Sequence, residues 1–190
     1  MTMSDLSVND SFSKRDWAYA GISHPGGIAV ARTPKGQRLA AGSKIVLVGD
    51  EHALGLGQFL GKLAVDRKVN LRFEWERSQP FENWMTSDRV DAVLKHRPAM
   101  LLLAFGSKLK TPAEMQPKLD ELVRSAKSVP VWWVLPFEKS DAAMSLSLAL
   151  AAAQIAQFHS EDIDIHRSQT GAPSVRGYAG WAGAVWGWIK

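Results

Sequence analysis

Hydrophobic and polar positions change their pattern at about residue 44. Before that point the chain carries few apolar residues at either a helical or a strand period. Pro25, Gly26, Gly27, Pro34 and Gly36 punctuate it as turn or irregular chain. Residues 1–43 therefore read as an N-terminal arm, with a short strand at Ile28 to Ala31 and with Trp17 and Tyr19 as candidate surface anchors. Residues 44–190 read as the folded domain.

That domain opens on Lys44 to Asp50, an apolar, β-branched run typical of a buried parallel strand. A helix is expected over Ala53 to Ala64 through Leu54, Phe59, Leu60 and Leu63, then a strand over Val69 to Trp75 and a helix over Arg89 to His96. Met100 to Phe105 is a third strand. Lys118 to Lys127 spaces Leu119, Leu122 and Val123 as an amphipathic helix, and Val129 to Leu135 is a fourth strand. Asp141 is placed to cap a helix running to about Phe158, and Gly177 to Ile189 forms a last helix. Strands alternating with helices predict a three-layer α/β/α sandwich on a mostly parallel sheet, in a flavodoxin-like arrangement. In such sheets ligands sit at the carboxyl ends of the strands.

Composition narrows the function more than the fold. With 190 residues, 46% of them hydrophobic, the chain suits one sizeable core. The formal charge of +4 is spread along the chain, with a mild cluster at Lys62, Arg67, Lys68 and Arg72, which argues against a nucleic-acid stripe. Absence of cysteine excludes a disulfide framework, a thiolate metal site and a Cys nucleophile. No apolar run reaches the roughly 18 to 20 residues needed to cross a bilayer, and Met1 to Asp16 has no export signal, so cytoplasmic synthesis is expected. No residue set calls for a cofactor.

Four stretches carry chemical information through their order. Val48-Gly-Asp-Glu-His-Ala-Leu-Gly-Leu-Gly57 follows the first strand, and Arg77-Ser78-Gln79 with Trp84 follows the second. Leu103-Ala-Phe-Gly106-Ser-Lys108 ends the third, and Ala172 to Trp181 enters the last helix. Over roughly residues 44–190 this series resembles the signature blocks of the SGNH hydrolases, the GDSL-type esterases, and the resemblance implies that family's sandwich.

It also implies a site whose machinery is replaced. Glu51 stands where that family has its nucleophilic Ser, and it lacks the hydroxyl a base would activate. Aligning on Pro173 puts Ala172 at the general-base His position and Gln169 at the Asp position. Gln79 and Lys108 fall at the oxyanion-hole positions, where losing one donor costs about 3 to 4 kcal/mol of transition-state stabilisation. His166, near Asp162 and Asp164, is a conceivable shifted base, and Asp50, Glu51 and His52 a conceivable metal or acid–base cluster. A salt bridge from Lys108 to Glu51 is the preferred account of the acidic pair. Gly55, Gly57 and Gly61 come too late after the strand for a dinucleotide-binding turn and are expected to permit close helix packing.

Two helices carry unusual surfaces. Ala179, Gly180, Gly183, Ala184 and Gly187 leave the back of the last helix small and uncharged, and Ala142 to Phe158 contains no charged residue. Contact with other protein chains is the expectation, with Trp17, Tyr19, Gly180, Gly183 and Gly187 as candidate interface residues and simple alanine-rich helix propensity as the bland account. Together these readings give a pseudo-hydrolase acting as a structural or binding module of a larger assembly such as a virion. The alternatives are a lectin-like module holding a glycan or ester in the old cleft, with Trp75 and Trp84 stacking on sugar, and an esterase using Glu51 or His166 unconventionally.

Overall fold

A computed structural model describes residues 39–106 and 108–189. Trp17, Tyr19 and the strand expected at Ile28 to Ala31 lie outside the described residues. Within them the elements are β1 (Lys44–Gly49), α1 (Glu51–Asp66), β2 (Asn70–Trp75), α2 (Phe81–Trp84), α3 (Ser87–Leu94), β3 (Met100–Ala104), α4 (Pro112–Ala126), β4 (Val131–Val134), α5 (Asp141–Ala152), β5 (Ala156–Phe158) and α6 (Val175–Ile189). A 3₁₀ turn at Ser160–Asp162 precedes α6.

The five strands lie in the order β2-β1-β3-β4-β5, and every pairing is parallel. Strand alternation sends Ile45, Leu47, Leu102 and Trp132 to one face, under α1 and α6, and Val46, Val48, Leu103 and Trp133 to the other, under α2 to α5. Both faces are thus covered by helices, the arrangement that near-continuous apolar strands require, and the expected α/β/α sandwich is what forms. Residues 40–43 are already part of it: Gly42 N–H donates to Lys68 O at 2.7 Å and Asn70 N–H to Ser43 O at 2.8 Å.

Several elements depart from the sequence reading: α4 starts at Pro112 rather than Lys118, and the largest change is at α5. The helix expected to run from Asp141 to about Phe158 stops at Ala152, and Ala156–Phe158 is the edge strand β5, paired with Trp132–Val134. Gln154 takes a left-handed φ of 57°, which ends the helix, and the Gln157 amide donates back to Ser147 O at 3.2 Å. The short helix α2 is also new; it buries Phe81 and Trp84 beneath the second layer.

Candidate functional site

The strand order creates the site. From β1 the sheet grows to β2 on one side and to β3 on the other, so chain leaving these adjacent carboxyl ends diverges and opens a crevice. Asp50 and Glu51 follow β1 there, and Gly106 follows β3. Asp50 is fully buried at 0% exposure, and its carboxylate caps α1. Oδ2 accepts the Gly106 N–H at 2.7 Å, while Oδ1 accepts the His52 N–H at 2.9 Å and contacts His52 Nδ1 at 2.7 Å. These bonds offset a desolvation cost that an unpaired carboxylate could not bear. Because a carboxylate only accepts, Nδ1 must carry the hydrogen in this pair.

Glu51 turns the other way. Its Oε1 accepts both the Ser78 N–H and the Ser78 hydroxyl, each at 3.0 Å. Asp50, Glu51 and His52 are therefore not one converging cluster: Asp50 and His52 pair with each other, and Glu51 joins the loop after β2. Ser78 has a φ of 50°. The other described non-glycine residues with positive φ, Lys68, Arg97, Lys127 and Gln154, all follow helices, whereas Ser78 follows a strand. The bend aims its amide at Glu51. Gln79, the residue singled out from sequence, donates its own N–H to Glu76 O at 3.4 Å. Sequence held a weak signal for Ser78, a hydroxyl residue in the right block; only the fold closes its 27-residue separation from Glu51.

Aromatic residues wall the crevice. The His52 ring lies 5.5 Å from Phe137 and 5.8 Å, edge-on, from Trp181, and Trp181 stacks on Tyr178 at 6.0 Å. Tyr178 sits in the notch left by Gly55, where an added Cβ would be 2.0 Å from its Cε1, and Gly57 likewise makes room for Phe73. Burial, then the charges of Asp50 and Glu51, hold the Tyr178 phenol above its ordinary value of 10.0, so it stays a hydrogen-bond donor. Beyond Phe137, whose face carries the Arg167 guanidinium at 5.1 Å, a cavity of about 520 Å³ is lined by Lys139, Glu161, Asp164 and Ile165 among others.

Other expected residues sit elsewhere. Lys108 is exposed, and the bonds described to Glu51 come from Ser78 rather than from the expected salt bridge. Gln169 and Ala172 are exposed on the loop before α6. His166 is exposed too, with its Nδ1 2.7 Å from Ser174 Oγ rather than on Asp162 or Asp164. Trp84 is a core residue stacked near Phe81 and Phe105, which removes it as a sugar platform, and Trp75 is half-buried against the other layer. Gly180, Gly183 and Gly187 are partly exposed on α6, and among the described residues a Cβ at Gly180 or Gly183 would meet nothing within 4 Å. On α5, Met144 and Leu148 are 61% and 68% exposed.

No protein-family model matches this chain, and no curated protein matches it. Solved structures do. It is similar to a GDSL-like lipase from Bacteroides uniformis, with 15% identity and a TM-score of 0.57 over 78% of this chain and 95% of that one. A GDSL-like lipase from Bacteroides ovatus gives 13% and 0.57 over 80% and 99%. An alpha/beta hydrolase enzyme from the metagenome of Lake Arreo, Spain, gives 17% and 0.55 over 78% and 95%. At these identities the likeness establishes the fold: the chain has a GDSL-like α/β sandwich.

Proposed function

We propose that this chain has given up serine-based ester hydrolysis and serves as a structural or binding module, joined with other protein chains in a larger assembly such as a virion. The observation that carries this reading is Glu51. It occupies the turn from β1 into α1, where the resembling family has its serine, and it offers no hydroxyl to make an acyl-enzyme. Its carboxylate further takes up the Ser78 amide, the kind of donor that an oxyanion would need. The assembly half of the reading is supported by the apolar outer face of α5 around Met144 and Leu148. A second reading, a cleft that holds a glycan or ester without cutting it, is supported by the cavity beside Phe137.

Covalent labelling tests the loss of serine chemistry. Treating the folded full chain with a fluorophosphonate should leave its intact mass unchanged. A stoichiometric adduct that maps to a serine, and that disappears when that serine is changed to alanine, would overturn the reading.

A further inference from the structure

Basic residues that are spread along the sequence are gathered by the fold. Every strand pairing is parallel, so each turn from a helix into the next strand lies at the amino end of the sheet. Lys44 opens β1, Arg67 and Lys68 precede β2, Lys95 and Arg97 precede β3, and Arg124 and Lys127 lie at the end of α4, before β4. In these last helical turns and connections, among the described residues, the acids are Asp66 and Asp91, so this end of the sheet is strongly cationic. Register aligns four of the cations. Lys44 is level with Asn70, and its carbonyl accepts the Ala99 N–H at 2.8 Å; Lys68 and Arg97 each stand two residues before those partners. Arg97 and Lys127 each stand four residues before the paired Leu101 and Val131. Strand order then sets Lys68, Lys44, Arg97 and Lys127 along four adjacent strands, with Lys44 two residues further in. At the usual strand spacing of about 4.8 Å the row is about 14 Å long. All four side chains are exposed, and among the described residues none is in a salt bridge.

Three of these cations occupy positions that suit glycine. Lys68, Arg97 and Lys127 have φ of 57°, 51° and 55°, a left-handed conformation that glycine adopts freely and that a Cβ opposes. A cation offsets the dipole of a helix from anywhere in its last turn. Helix stability therefore gives no reason to put it on the one residue where glycine fits best. Repeated at three successive turns, the placement indicates a use for the charge itself.

We propose that this rim binds the phosphate backbone of a double-stranded nucleic acid without reading its sequence. Charge complementarity selects the partner: a duplex presents one negative charge about every 1.7 Å along its axis, so a row of about 14 Å meets several phosphates. Single strands are held instead by aromatic side chains on which their bases stack. The large hydrophobic side chains exposed among the described residues, Val65, Val123, Met144, Leu148 and Val175, include no aromatic. The rim lies at the opposite end of the strands from Asp50 and Gly106, and this binding is independent of the function proposed above.

The test follows the full chain on a fluorescein-labelled DNA duplex by fluorescence anisotropy over a range of salt. Affinity should not depend on base sequence, and log Kd should rise with log salt with a slope of about 3.6, about 0.9 for each of four phosphates neutralised. Combining Lys68→Gly, Arg97→Gly and Lys127→Gly removes three charges while giving each turn the residue its backbone prefers, so the fold should survive, as urea unfolding checks. That variant should lower the slope by about 2.7 and weaken binding by about tenfold or more at about 50 mM salt. Arg89→Gln with Lys110→Gln, at the starts of α3 and α4 and so at the other end of the sheet, should leave the slope unchanged. A folded wild type that does not bind the duplex at about 50 mM salt, or a triple variant that binds as tightly as the wild type, overturns the proposal. Tighter binding to the single strand, or binding to phosphatidylglycerol vesicles with none to the duplex, overturns it as well, by assigning the rim to a different ligand.

Discussion

Two carboxylates show opposite ways of being placed. Asp50 is buried but surrounded by donors, whereas both Glu82 oxygens are buried with no hydrogen-bond partner among the described residues. Desolvation raises the Glu82 pKa above the ordinary 4.5; the residue's own backbone and Lys110 pull the other way, and Glu114 adds to the rise. The linkage follows from that direction. A carboxyl whose folded value is raised stabilises the fold fully below 4.5, and that contribution is lost as pH rises through the raised folded value. At neutral pH, Glu82 is therefore a cost, because the folded state must hold a charge that the unfolded chain solvates freely. Glu82→Gln should be more stable than the wild type at neutral pH, with the difference shrinking as the pH falls towards 4.5. Urea unfolding at several pH values checks this; a variant destabilised equally at every pH would mean the carboxylate is compensated.

Among the elements, glycines on α1 and α6 have opposite expected effects. Gly180 and Gly183 lie inside α6 with open space over them, so alanine at either should gain about 0.5 to 1 kcal/mol through helix propensity alone. Gly55→Ala drives a Cβ into the Tyr178 ring where α1 meets α6, and should cost about 1 to 3 kcal/mol despite the better propensity. Denaturant midpoints distinguish these, and a loss at Gly180 or Gly183 would show that another surface packs there. Such packing was legible in sequence because strict spacing survives without the fold: the apolar strands and the helix through Leu119 and Leu122 lie where their periods put them. The end of α5 was not legible. Leu148 to Ala153 is apolar without a break of the helical period, and the residue that ends the helix in left-handed geometry is Gln154, not a glycine. The site was half legible. The switch from strand to helix marked Asp50, Glu51 and His52, but which of them pair depends on Gly106 and Ser78, brought in from 56 and 27 residues away.

For the whole molecule, the decisive feature is that its two unusual helices cover opposite faces of the sheet. α5 belongs to the layer with α2 to α4, and α6 to the layer with α1. A single self-matching patch closes a dimer, whereas two separate patches on opposite faces can pass contacts from copy to copy and build a ring or a larger array. Neither helix alone offers the roughly 1,200 to 2,000 Å² of a stable interface, so an assembly that uses Met144 and Leu148 must recruit further surface. Residues 1–43, with Trp17 and Tyr19, are the segment proposed to supply it. Light scattering on the full chain should therefore give a defined mass above that of one 20.9 kDa chain. The paired change Met144→Glu and Leu148→Glu should lower that mass while leaving the monomer folded, because a charge on this outer face costs little in water and much in a contact. Removal of residues 1–38, which leaves the bonds of Gly42 and Ser43 in place, should also lower it. A full chain that stays strictly monomeric over a wide concentration range would remove self-assembly from the proposed role and leave a different protein as the partner of these faces.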